Sequence, residues 1–209
     1  MTSSPVVLAV LDDDVDAAMQ FAVAEATEQG CGLRLVAYDD AVLGRALTRV
    51  RGIPVEGRLV HGAPVRAVLD ASADARLVVV RRRDLLHLIR ALTAADEVLP
   101  TSWTDPPVAC VPPDWSASDD ELPATVGVED AADTETLVEQ ARSVCGGPVR
   151  PMHAPHERAG AELVARSTGS RLVLLGRNAV DRRGGTRLGR TARTVLHGSD
   201  CPVVLLPPR

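Results

Sequence analysis

The apolar residues of this chain come in short, unbroken runs. "VVLAVL" (Val6–Leu11), "LRLVAY" (Leu33–Tyr38), "GRLV" (Gly57–Val60), "RLVVV" (Arg76–Val80) and "PVACV" (Pro107–Val111) show no alternation with polar residues. A strand with one wet face alternates, whereas a strand covered on both faces reads as a continuous run. The runs therefore predict a parallel sheet clad in helices on both sides. Helical stretches fall between them. "DAAMQFAVAEATEQG" closes on Gly30, suited to a left-handed C′ position, and "PVRAVLDASADA" opens on Pro64, suited to a first helical turn. Strand and helix alternate throughout, so the predicted class is α/β, doubly wound. Aromatics are only 2% of the chain and hydrophobic residues 45%, so the core must be aliphatic.

"PPDWSASDDELP" (Pro112–Pro123), rich in proline, serine and acid, reads as a linker. After it the pattern restarts with "ATVGVED", a helical "DTETLVEQARSV", "RLVLLG" and "PVVLLPP". The restart is an internal repeat. "RLVVVRRR" from Arg76 matches "RLVLLGRN" from Arg171, and "PVACVPP" from Pro107 matches "PVVLLPP" from Pro202, both at an offset of 95. His61 and Ser72 fall on His156 and Ser167 at the same offset. The first strands are 118 apart, since "AVLDD" from Ala9 matches "GVEDA" from Gly127. The second copy is thus 23 residues shorter, the size of one strand–helix unit. Leu33–Val60 has only a short counterpart around Pro148–Met152, so the second copy is expected to lack the strand next to its first one. The expected division is one domain over 1–113, a linker over 114–123, and a truncated domain over 124–209.

Charge and chemistry narrow the function. The formal net charge is −5, which speaks against nucleic acid and anionic membranes as partners. All 23 basic residues are arginine, so no Walker-type or Schiff-base lysine exists. No apolar run nears the roughly 20 residues of a membrane span. The N-terminus reads as a first strand rather than a signal peptide, and Cys31, Cys110, Cys145 and Cys201 form no C-x-x-C pair; a cytosolic protein with reduced thiols is expected. No nucleophile elbow or Ser–His–Asp spacing stands out, so no catalytic residue is assigned.

The most chemical stretch is "GRNAVDRRGGTRLGR" (Gly176–Arg190), between a buried strand and a helix. Glycines there let backbone N–H groups converge on an anion, and the following helix N-terminus adds positive potential. With the following "TARTVLHGSDCPVVLLP", this stretch resembles the end of a universal stress protein domain, and the whole chain resembles the tandem, two-domain form of that family. The resemblance implies a five-stranded parallel sheet of the adenine-nucleotide-hydrolase type in each domain. It implies a final strand that pairs two domains, within one chain or across a homodimer, and a G-x2-G-x9-G-[ST] loop that holds nucleotide phosphates. In that pattern Gly176 takes the first glycine position, Ala179 stands at the second, Gly189 at the third, and Arg190 at the hydroxyl position with Thr191 beside it. Glu129 falls on the acidic position after the first strand. The first copy departs from the loop altogether: Arg81, Asp84, Ala94 and Ala95 occupy those four places, and Leu85, Leu88, Leu92 and Leu99 make a helical stripe instead.

The preferred expectation is a stress-linked binding protein with degenerate nucleotide sites and an unnamed protein partner. In it, Pro107–Pro112 would pair with Pro202–Pro207 as an intramolecular pseudo-dimer, with a homodimer also open. The competing expectation is an ATP or AMP sensor, or a slow ATPase, using Glu129, Gly176, Ala179, Gly189, Arg190 and Thr191. Lesser signals have bland readings. Asp12–Asp14 suit an acidic N-cap for the first helix better than a Mg²⁺ site. "RRRD" (Arg81–Asp84) suits a solvated loop. His153 and His156 have metal-pair spacing without further ligands, so no metal is assigned. Cys201 is expected buried, and Cys31 and Cys145 exposed enough for redox chemistry.

Overall fold

A computed structural model describes residues 4–61, 68, 71–85, 106–117, 122–128, 131–154, 157–176 and 189–207. Its strands are β1 (Val6–Val10), β2 (Leu33–Ala37), β3 (Val55–Leu59), β4 (Leu77–Arg81), β5 (Val108–Val111), β6 (Ala124–Val128), β7 (Val149–His153), β8 (Val173–Gly176) and β9 (Val203–Leu206). The helices are α1 (Asp16–Glu28), α2 (Asp40–Arg49), α3 (Thr134–Val144), α4 (Ala159–Ser167) and α5 (Arg190–Gly198).

All nine strands join one sheet in the order β3-β2-β1-β4-β5-β9-β8-β6-β7. Every neighbouring pair is parallel except β5 and β9, which run antiparallel with Ala109 opposite Val204. Strands β1–β5 therefore point one way and β6–β9 the other. The carboxyl ends of the two sets lie on opposite edges of the sheet. Ligands of parallel α/β sheets bind at carboxyl ends, so two equivalent sites would face away from each other.

The continuous runs β1, β5 and β9 are buried at every residue. Alternate residues serve opposite faces. Val6, Leu8 and Val10 join one cluster, and Val7 and Ala9 another. The first cluster runs unbroken across the β5–β9 junction, from Leu35 through Ala109 and Val204 to Leu174 and Val126. Phe21 of α1 meets Trp115 edge-on at 5.5 Å, so the segment after β5 packs back onto the first helix.

Helix α1 stops as its sequence dictates. Gly30 adopts φ +61, and the Cys31 N–H reaches back to the Ala26 carbonyl at 3.0 Å, a Schellman closure. Helix α2 starts on Asp39, whose carboxylate accepts from the Val42 N–H at 2.9 Å.

Three readings of the sequence need correction here. "GRLV" is not a doubly covered strand: β3 is the sheet edge and largely exposed. Among the described residues α2 covers it, so closely that a Cβ on Gly57 would sit 3.0 Å from Leu47. The shorter second copy does not lack a strand beside its first one: β7 fills that place against β6, and the sheet ends there. Among the described residues it is the outer strand that has no counterpart, and β7 takes the edge, where Pro151 costs no ladder bond. The cysteines at the helix ends are not exposed; all four thiols are free and buried. Burial pushes Cys145 up to about 11 and Cys110 and Cys201 up to about 12, which keeps these three protonated and unreactive. The helix expected to open on Pro64 lies mostly outside the described residues.

Candidate functional site

The second copy's loop starts at Gly176, the last residue of β8, and ends at Gly189, the N-cap of α5. Gly189 is extended (φ −60, ψ 166) and has no side chain of its own to cap the helix. An α-helix leaves its first N–H groups without intrahelical partners, and they carry positive potential. Arg190 follows in the first turn and is exposed, with Thr191 half-buried beside it. Ala192, Val195 and Leu196 bury the inner face of α5 and fix its direction. Gly176 has a non-positive φ, and a Cβ there would touch only Leu137 at 3.5 Å. Neither backbone strain nor packing among the described residues demands glycine at that position. Ala179 and Glu129 lie outside the described residues.

The neighbouring carboxyl ends place His153 of β7 at this edge, with Nε2 3.5 Å from the Thr134 hydroxyl at the start of α3. His156 lies outside the described residues. No group of three or more His, Cys, Asp or Glu side chains suited to a metal occurs among the described residues.

The first copy's edge is built differently. Arg81, the counterpart of Gly176, ends β4 beside Val111 of β5. Its side chain is only 8% exposed. It must therefore meet counter-charge, and two carboxylates supply it from opposite sides. Nη1 donates to Asp12 and, at 2.6 Å, to the Asp14 carbonyl; Nη2 donates to Asp12 at 3.1 Å and to Asp84 at 3.0 Å; Nε donates to Asp84 at 2.6 Å. A guanidinium has five N–H groups, and these five bonds use all of them. Arg83 adds contacts to Asp12 and Asp14 at 2.9 Å. The hydrogen bond from Arg81 holds the Asp12 carboxyl below its usual range. The cavity beside this network, lined by Asp14, Val15, Arg81, Arg83, Pro112 and Pro113, holds about 60 Å³. A small-molecule site needs roughly 300–1,000 Å³. This edge is filled by the protein itself.

Two further expectations fall with that observation. Asp12–Asp14 do not cap α1: its N-cap is Val15, with no side-chain bond. Asp12 instead accepts from the Asp14 N–H and pairs with Arg81, while Asp13 pairs with Arg45 at 2.9 Å. "RRRD" is not a solvated loop either. Residues 82–85 begin a helix directly after β4, Arg81 is buried, and the Arg82 Nη2 donates to the carbonyl and hydroxyl oxygens of Ser199 at the end of α5.

In its chain path this sheet matches solved structures. A candidate universal stress protein from Pseudomonas aeruginosa UCBPP-PA14 superposes with a TM-score of 0.66 at 12% identity, over 99% of this chain and 94% of that one. The fold is of the universal-stress-protein type. A protein of unknown function from Pseudomonas aeruginosa PAO1 superposes at 0.63 and 12% identity, over 97% and 92% of the two chains. No protein-family model matches the sequence, and no curated protein matches it. At this identity the likeness carries the fold and leaves the sites to be read from the residues. No helix among the described residues is long and apolar enough to cross a membrane.

Within the universal-stress fold, reading the sequence in isolation missed the pairing of Arg81 with Asp12 and Asp84. The signal was present: a register of 95 placed an arginine at the end of a buried strand, three residues before Asp84. What was lacking was the knowledge that the ends of β1 and β4 are neighbours.

Proposed function

We propose that this chain is a tandem universal-stress-type protein of the cytosol that acts by binding a protein partner rather than by catalysis. The observation that carries this reading is Arg81, whose five N–H groups are all spent on the protein's own carboxylates and carbonyl. An anionic ligand arriving at this edge would find no free donor on Arg81 and three aspartates around it. The antiparallel junction of β5 and β9 serves as the internal counterpart of a dimer contact, so each copy covers the other's last strand.

A second reading rests on the other edge. Gly189 opens α5 without a side-chain cap, and exposed Arg190 stands in its first turn. Those features suit a phosphate, with Gly176 at the strand end and Arg190 in the hydroxyl position, and ATP or AMP is the nucleotide class implied. Titration calorimetry with ATP, ADP and AMP, with and without Mg²⁺, separates the two. The binding-protein reading expects no heat of nucleotide binding from the folded protein. Micromolar binding that disappears in Gly189→Asp would establish the sensor reading instead. Phosphate release that persists in Gly189→Asp would dismiss an ATPase at that loop.

A further inference from the structure

The C-terminal ends of α1 and α3 converge where the two sets of strands meet, and they enclose a polar cluster. Arg171, just before β8, reaches across to α1: its Nη1 donates to Glu28 at 2.7 Å and to Glu25 at 3.3 Å, and its Nη2 donates to the Gly146 carbonyl. From α1, the Gln29 amide donates to Glu25 at 3.1 Å and across the seam to the Val144 carbonyl at 2.8 Å. The Glu28 carboxylate lies so close to Gly146 that a Cβ there would collide with it.

Counting charges and bonds shows what this cluster lacks. Glu25 is 3% exposed and Glu28 is 39% exposed, and one guanidinium serves both. One negative charge is left over. Two helix C-termini, each with negative potential, point at the same place. The Gln29 Oε1 is buried with no hydrogen-bond partner among the described residues. The Cys145 thiol offers nothing further, since it donates to the Ala141 carbonyl at 3.1 Å. Arg76, the repeat counterpart of Arg171, spends a bond on the Ser143 carbonyl at 3.3 Å. By the 118-residue register, Ser143 and Gly146 stand where the first copy has Glu25 and Glu28. The acids are thus present on only one side of a reciprocal contact, and the surplus charge is not balanced by symmetry.

We propose that Glu25 is the proton-binding element of a latch between the two halves of the sheet, and that the latch tightens on mild acidification. A proton on Glu25 removes the surplus charge and leaves Arg171 to Glu28 and the Gly146 carbonyl. Its environment agrees: burial pushes the Glu25 carboxyl above its usual 4.5, Arg171 opposes the rise and Glu28 adds to it. A group whose pKa is raised on folding stabilises fully below its unfolded value, and that stabilisation is lost as pH rises through the folded value. The seam is accordingly weaker at neutral pH than in mild acid.

Urea unfolding of the full chain and of Glu25→Gln between about pH 5 and pH 8 tests this. Glutamine keeps the shape and carries its own donors without a charge. The expected result is a stability difference between the two proteins that grows with pH, by up to tenfold in folding constant for each unit that the pKa is raised. A difference that stays constant across the range overturns the proposal. Carboxyl NMR of the unmodified chain gives an independent answer if Glu25→Gln fails to fold. A Glu25 midpoint above that of exposed carboxylates supports the latch, and an ordinary or lowered midpoint refutes it.

Discussion

Val204→Asp is expected to abolish the folded state of the whole chain, not of its C-terminal half alone. Val204 is 1% exposed at the centre of β9, hydrogen-bonded between β8 on one side and β5 on the other, opposite Ala109. It belongs to the apolar cluster that runs from Leu35 to Val126 without a break. No cation or hydroxyl is among that cluster's residues. Burying an unpaired carboxylate costs several kcal/mol, comparable with the 5–15 kcal/mol that holds a typical domain together. Val204→Ala, which only removes two methyl groups, should cost about 2 kcal/mol and leave a single cooperative transition. Circular dichroism and urea titration of both variants check this. A Val204→Asp protein that keeps β1–β5 folded, with a normal first-half melting step, would show that the shared cluster does not couple the halves.

Arg81→Gly is the second large effect, expected to destabilise by about 3 kcal/mol. The substitution installs the residue that the second copy carries at this place. It removes a guanidinium that is 8% exposed and leaves Asp84, 15% exposed, and Asp12 with Arg83, 4.0 Å from Asp84, as the one cation they share among the described residues. Arg83 remains near Asp12 and Asp14 but is itself half-exposed, so it compensates poorly. Arg81→Lys should fall between the two, because three donors on one nitrogen cannot fork to both carboxylates. The variant also changes the acid limb. Asp12 has its pKa lowered by folding, chiefly by the Arg81 hydrogen bond, so its stabilisation is present above about 3.8 and fades as pH falls through the folded value. Arg81→Gly should flatten that limb. It should not create nucleotide affinity, since the aspartates stay. Stability within about 0.5 kcal/mol of the unmodified chain, the range of neutral surface changes, would mean that water screens the network.

Much of the architecture was legible because it depends on local pattern. The unbroken aliphatic runs of β1, β5 and β9 are strands covered on both sides, and Gly30 marks the end of α1 because glycine adopts φ > 0 without penalty. Gly189 before an amphipathic segment marked the start of α5, where it is the extended N-cap. The candidate loop was legible only as a pattern of types, from Gly176 to Arg190, and its chemistry remains a matter for calorimetry.

The edges were harder. An edge strand and a covered strand can share the apolar letters "GRLV", and only the neighbour list tells them apart. The loss of 23 residues read as loss of the strand next to the first one, and hydrogen bonding instead placed β7 beside β6. Charged residues were the least legible, because a charge's role depends on what faces it. Arg81, Asp12 and Asp84 are spread over three segments, and Glu25 and Arg171 are 146 residues apart in sequence.

The sequence alone determined the α/β class, the repeat registers and the positions where helices stop, since each follows from periodicity or from the backbone freedom of single residues. Only the tertiary structure decided which charges are buried and paired. Coulomb energy and desolvation act through space, and the strand order β3-β2-β1-β4-β5-β9-β8-β6-β7 sets that space.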